Sequence, residues 1–139
     1  MVCGIIRKNY NADSRGWTSE VIQIRKSEVT FETRAKNGVD VIDASGVLDA
    51  FSTADAKAEF KKLTDARHYK LVLNLQNVTY VNSTAIGAIV AVAQQVRRRK
   101  GDLKICGMKD DIRKVFDLVG ASKILEIFET EQEALSSFS

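Results

Sequence analysis

Residues 70–101 read KLVLNLQNVTYVNSTAIGAIVAVAQQVRRRKG, a strand pattern that passes at once into a helix pattern. The first six, KLVLNL (70–75), are a dense apolar run of strand length, the pattern of a central strand covered on both faces. NVTYV carries the chain on to Asn82. From Thr84 to Arg99 the spacing turns helical, with Ile86, Ile89, Val90, Ala93 and Val96 on one broad face. Gly87, Ala88 and Ala91 are small enough to let such a helix lie close to a sheet. Arg97-Arg98-Arg99-Lys100 and then Gly101 read as a helix ending, a basic last turn followed by a C′ glycine. The same basic run would suit an acidic partner or nucleic acid.

Between strand and helix stands Asn82-Ser83-Thr84. Each of these residues is a good N-cap, because a side-chain oxygen can accept from the unpaired amides of the first turn. One cap needs only one of them. Three in a row at the C-terminal end of a central strand raise a second reading, a regulatory hydroxyl. In parallel α/β sheets that edge is where ligands and partners meet the fold. A phosphate on Ser83 would meet the positive end of the following helix.

Working outward, VTFETRA (29–35) alternates as a strand, with Val29, Phe31 and Thr33 on one face. Asn37-Gly38 is a hairpin turn signal, and VDVIDASG (39–46) is its antiparallel partner. Gly46-Val47-Leu48-Asp49 is expected to leave the sheet. Ser52 and Thr53 then offer N-cap hydroxyls to a helix over 54–67, with Ala56, Phe60 and Leu63 on its inner stripe. Beyond Gly101, LKICGM (103–108) predicts a strand. Asp110–Val119 predicts a short helix with Ile112, Val115, Phe116 and Val119 inward, closed by Gly120. ILEIF (124–128) predicts a last strand. Thr130-Glu131-Gln132-Glu133 is a capping box opening a helix through Phe138. Strands joined by helices imply an α/β fold: a layered, mixed but mostly parallel sheet with an opening antiparallel hairpin and helices packed against it.

The 139 residues suit one domain over residues 28–139, preceded by a polar arm over 1–27. A short strand around Val21–Ile24 fits the arm. Trp17, its large apolar group, is either a partner anchor or a residue packed on the domain surface. Apolar residues at 45% and charged residues at 28% are an ordinary globular balance. A formal charge of +3 and a pI near 8.9 do not by themselves support a nucleic-acid partner. Cys3 and Cys106 stand in no paired spacing, which fits free thiols in a reducing compartment. The apolar run at the N-terminus is too short for a membrane span or a signal peptide, so the expected location is cytoplasmic.

Catalytic signals are nearly absent. No phosphate-binding glycine loop, nucleophile elbow or metal-ligand spacing occurs, and no cofactor is implied. His68, the single histidine, reads as a solvated residue near a helix end. Asp110-Asp111 and the pair Glu131 and Glu133 each open a helix, where acids are stabilising anyway. The chain reads as a non-enzyme.

From about residue 28 to 138 the sequence resembles the STAS domain, the fold of bacterial anti-sigma-factor antagonists. The resemblance rests on an apolar strand, then a short hydroxyl-bearing turn (Asn82-Ser83-Thr84-Ala85-Ile86-Gly87), then a helix ending in basic residues and glycine. It rests also on the later helix RKVFDLVG (113–120) and on Gly46-Val47-Leu48-Asp49. It implies that Ser83 is a phosphorylation site and Thr84 a second hydroxyl. It also places Asp49 on an acidic loop beside them. Asn82 stands where the family usually has Asp, and Ala85 where it usually has Gly. The implied partner surface is Asp49, Asn82, Ser83, Thr84 and Ala85. The implied partners are an anti-sigma factor that is also a serine kinase, bound when Ser83 is unphosphorylated, and a Ser/Thr phosphatase that restores that form. Two alternatives stay open. One is a STAS domain serving as scaffold or subunit of another signalling or transport complex. The other is a small ligand- or nucleotide-binding module using Arg97–Lys100.

The weak periodicity of the arm yields a first prediction. Removing residues 1–24 is expected to leave the thermal midpoint within a few degrees. Loss of cooperative unfolding on that deletion would show that the arm pairs with the sheet.

Overall fold

The computed structural model describes residues 29–138. The expected arm, the strand at Val21–Ile24, Trp17 and Cys3 lie outside the described residues. Strand β1 (Val29–Lys36) and strand β2 (Val39–Leu48) form the predicted hairpin. Asn37 and Gly38 both take positive φ, 54° and 78°, as a two-residue turn matching the strand twist requires. Helix α1 (Thr53–Asp65), strand β3 (Lys70–Val81), helix α2 (Ser83–Arg97), strand β4 (Asp102–Cys106) and helix α3 (Asp110–Leu118) follow. A 3₁₀ turn (Ala121–Lys123), strand β5 (Glu126–Phe128) and helix α4 (Glu131–Ser136) complete the chain. Among the described residues the five strands lie in the order β1-β2-β3-β4-β5, the first pair antiparallel and the others parallel.

The sheet has two unequal faces. Ile42, Leu71, Leu73, Leu75, Leu103 and Ile105 point into the main core, beneath Phe60 of α1, Ile86, Ile89 and Ala93 of α2, and Ile112 and Phe116 of α3. Val39, Val41, Val72 and Cys106 point the other way and are covered by Ala134 and Leu135 of α4. β3 is therefore sealed on both faces along its first half, as its apolar run implies. Burial pushes the Cys106 thiol up to about 12, so it packs as a small apolar group.

Several local expectations are corrected. Gly46, Val47 and Leu48 do not leave the sheet; they stay paired with Val78, Tyr80 and Val81, and two register shifts absorb the mismatch. The glycine marks a bulge rather than an exit. Gly87 and Ala91 face outward, and Ala85 and Ala93 are the small residues of α2 in the core. Lys100, not Gly101, takes the left-handed position after α2, with φ 65°. Gly101 is needed because any Cβ there would overlap the Tyr69 carbonyl. Val119 is 47% exposed rather than inward, and Ile124 lies outside β5, which is only three residues long. His68 is half-exposed and bonded through Nδ1 to Asp40 at 2.7 Å, so it is more than a solvated residue. The capping box forms as expected, Thr130 accepting from the Glu133 amide and Glu133 from the Thr130 amide.

Arg34 ties the two layers together. Its guanidinium donates to both oxygens of Asp43, at 2.6 and 3.0 Å, and to Glu131 at the start of α4, at 2.7 and 3.3 Å. The bonds from Arg34 hold both carboxyls below the usual carboxylate range. A depressed carboxyl pKa stabilises the fold above the unfolded value, and that contribution disappears as pH falls through the folded value. The Arg34 side chain is 41% exposed, which limits the gain to about 1 kcal/mol or less per pair. Arg34→Met is therefore expected to melt lower than the parent at neutral pH, with the gap closing below about pH 4. Melting both proteins across that range checks it, and a gap that persists at low pH would show that Arg34 acts through packing instead.

Candidate functional site

The parallel ladder between β2 and β3 runs to Leu48 opposite Val81, and its last bond is from the Asn82 amide to the Leu48 carbonyl, 3.0 Å. The loop after β2 and the start of α2 are thereby held side by side at the C-terminal edge of the sheet. Asp49, Asn82, Ser83 and Thr84 all lie there. Ala85, expected among the partner-contacting residues, is 3% exposed and faces the core instead.

The two possible jobs of Asn82-Ser83-Thr84 fall to different residues. Asn82 is the N-cap, in extended conformation, and its side-chain oxygen accepts from the Ala85 amide at 2.9 Å. Ser83 is the first helical residue, exposed, with Thr84 exposed beside it. Among the described residues neither hydroxyl has a hydrogen-bond partner. No acid stands in the first turn of α2, so the positive end of the helix is uncompensated by its own side chains.

Asp49 organises the neighbouring loop. Its Oδ1 accepts from the Phe51 amide at 2.9 Å and the Ser52 amide at 3.1 Å. The carbonyl of Asp49 accepts from the Thr53 hydroxyl at 2.8 Å. Ser52 and Thr53 were expected to cap α1 with their hydroxyls. Ser52 is instead fully buried, donating to the Val47 carbonyl at 2.8 Å and accepting from the Asp49 amide at 2.8 Å. The carboxylate of Asp49 instead holds the turn that leads into α1, and the Thr53 amide, the first of the helix, donates to the Asp49 carbonyl at 3.1 Å.

Sequence reasoning passed over the two aromatics displayed near this edge. Phe51 is 65% exposed in the Asp49 loop, and Tyr80, opposite Val47 in the ladder, is 52% exposed. No periodicity could have flagged Phe51, because it sits in a turn. Tyr80 follows the irregular register of β3, where simple alternation fails. Among the described residues no group of three His, Cys, Asp or Glu side chains could hold a metal ion, and no helix is long and apolar enough to cross a membrane.

The family model described as the STAS domain matches residues 30–134, and the chain belongs to that family. An anti-sigma-B factor antagonist of Listeria monocytogenes is 27% identical over 105 residues, covering 76% of this chain and 91% of that protein. Among solved structures, an anti-sigma factor antagonist from Mycobacterium paratuberculosis superposes with a TM-score of 0.73 at 19% identity, over 78% of this chain and 92% of that one. Unphosphorylated SpoIIAA, an anti-sigma factor antagonist, superposes with a TM-score of 0.67 at 18% identity, over 78% of this chain and 96% of its own. The mixed five-stranded sheet with its opening hairpin is the fold these structures share.

The division of labour at the start of α2 is open to measurement. Asn82→Ala is expected to lower stability by about 1 kcal/mol in urea unfolding, and Asn82→Asp to keep the cap. Ser83→Ala should change stability by less than about 0.5 kcal/mol. A larger loss in Ser83→Ala than in Asn82→Ala would assign the cap to the wrong residue here.

Proposed function

We propose that this STAS-domain chain is an anti-sigma-factor antagonist switched by phosphorylation of Ser83. The observation that carries the reading is a hydroxyl at the exposed start of α2 that the fold does not use, next to an Asn82 that already supplies the cap. The relatives named as anti-sigma factor antagonists supply the partner class. Unphosphorylated, the edge formed by the Asp49 loop and the start of α2 docks on an anti-sigma factor that is also a serine kinase, and a sigma factor is released. A Ser/Thr phosphatase returns the modified form to this state. The chain contributes a surface and an acceptor hydroxyl, the chemistry belongs to its partners, and the exchange takes place in the cytoplasm.

The physics of a phosphate at Ser83 differs for the chain alone and for the complex. At the helix start its roughly two negative charges gain about 0.3–2 kcal/mol from the dipole, so the fold tolerates them. In a partner interface the same group meets desolvation and the Asp49 carboxylate, and one badly placed buried charge costs on the order of several kcal/mol. Each ~1.4 kcal/mol is tenfold in affinity, so two to three such steps end binding at cellular concentrations.

Ser83→Ala is expected to bind the kinase constitutively, Ser83→Asp to bind it weakly while still folding, and Thr84→Ala to bind nearly as well as the parent. Partner captured from the native cell and identified by mass spectrometry supplies the binding assay, with melting measured on the same variants. Equal affinities for Ser83→Ala and Ser83→Asp would sink the switch.

A further inference from the structure

At the end of the sheet opposite Ser83, a cleft of about 420 Å³ opens where the ends of α1 and α2 meet the start of β3. Arg67 comes from the turn after α1, Tyr69 and Lys70 from the entry to β3, and Arg99 and Lys100 from the turn after α2. The segment at 67–70 and the segment at 99–100 are far apart in sequence. The sheet joins them, because the Asp102 amide that opens β4 donates to the Tyr69 carbonyl at 2.9 Å. The Arg99 guanidinium also lies 5.9 Å from the centre of the Tyr69 ring.

Charge is the first feature that exceeds an ordinary solvated helix end. Arg67, Lys70, Arg99 and Lys100 are all exposed, and among the described residues none has a carboxylate partner. The acid lining the cleft, Asp40, is bonded to His68. The two helix C-termini bring roughly half a negative charge each. Against four cations, those two half charges and the Asp40 carboxylate leave a surplus of about two positive charges facing one cleft.

Backbone conformation is the second feature. Arg67 and Lys100 both adopt left-handed conformations, with φ of 66° and 65°. Each follows a helix at the position that glycine usually fills, where any other residue carries strain. Strained non-glycine residues persist where the side chain has a use, and here both side chains are basic and line the same cleft.

The geometry points to a binding site for a multiply charged phosphate group, carried by a soluble phosphorylated compound or by a lipid headgroup. Arginine forks and lysine point charges around a concave site suit several oxygens on one small anion. A cleft of this size holds a small ligand or headgroup. The cations ring a hollow instead of forming a stripe, so a nucleic-acid duplex fits less well. The site lies away from Ser83 and does not depend on the switch.

The backbone supplies a clean variant. Arg67→Gly/Lys100→Gly removes two cations while giving both left-handed positions the residue that suits them, so the variant is expected to melt at or above the parent. Lys57→Gln/Lys114→Gln lowers the net charge equally on exposed faces elsewhere. The full chain is titrated at low salt with tripolyphosphate, and separately with phosphatidylcholine vesicles with and without phosphatidylinositol bisphosphate. Binding of either probe by the parent, falling about tenfold or more in the glycine variant and retained in the glutamine variant, is the expected result. The probe that binds identifies the source of the phosphate. No binding of either probe to the parent, equal binding by the glycine variant, or equal loss in the glutamine variant would overturn the site.

Discussion

The parallel pairing of β2 with β3, carried past the bulges to Leu48 and Val81, is the constraint on which the candidate site depends. A strand that left the sheet at Gly46 would have placed the Asp49 loop away from α2. Instead the ladder closes with the Asn82 amide on the Leu48 carbonyl, and two chain segments far apart in sequence become neighbours. The two register shifts are what let strands of unequal path finish level. Asn74 helps to hold the irregular stretch, accepting from the Gln76 amide at 3.0 Å and donating to Asp43 at 3.0 Å. The same Asp43 is gripped by Arg34, so the bulge, the edge strand and α4 share one polar network.

What could be read from the sequence follows from how local each signal is. β3 and α2 were legible because an apolar run and a helical stripe need no distant partner to be recognised. The Asn-Gly turn and the capping box were legible because their geometry demands those residue types. Gly46 was misread, since a glycine in a strand signals exit and bulge alike until the neighbouring strand is known. Val119 and Ile124 were misread for a related reason: a short helix and a three-residue strand offer too few turns to fix which way their ends face.

The candidate site divides in the same way. Ser83 and Asn82 could be located from residue type and position, but the sequence could not assign the cap to one of three suitable residues. The structure does, through the Asn82 bond to Ala85. The place of Asp49 came from family resemblance, and its two amide bonds give that placement a physical basis. The basic cleft at the other end was half visible. Arg97–Lys100 stood out as a run, yet Arg67 and Lys70 join it only because β3 begins between the ends of α1 and α2.

Assigning the cap to Asn82 also bears on how a switch at Ser83 could work. If the modified hydroxyl were itself the cap, phosphorylation would alter the helix start, and lost binding could not be told apart from local unfolding. With Asn82 holding the first turn, a phosphate on Ser83 would change surface charge and leave the backbone in place. An uncharged cap also matters. An aspartate at position 82 would set a full negative charge against the incoming phosphate, whereas asparagine keeps the hydrogen bond without that repulsion. Asp49 then remains the nearby acid of the loop, its Oδ1 engaged by two amides that fix its position. The departure from the usual family residue at position 82 thus removes one repulsive term within the chain. In the proposed switch, the repulsion and desolvation that release the partner would then act across the interface and not within the chain.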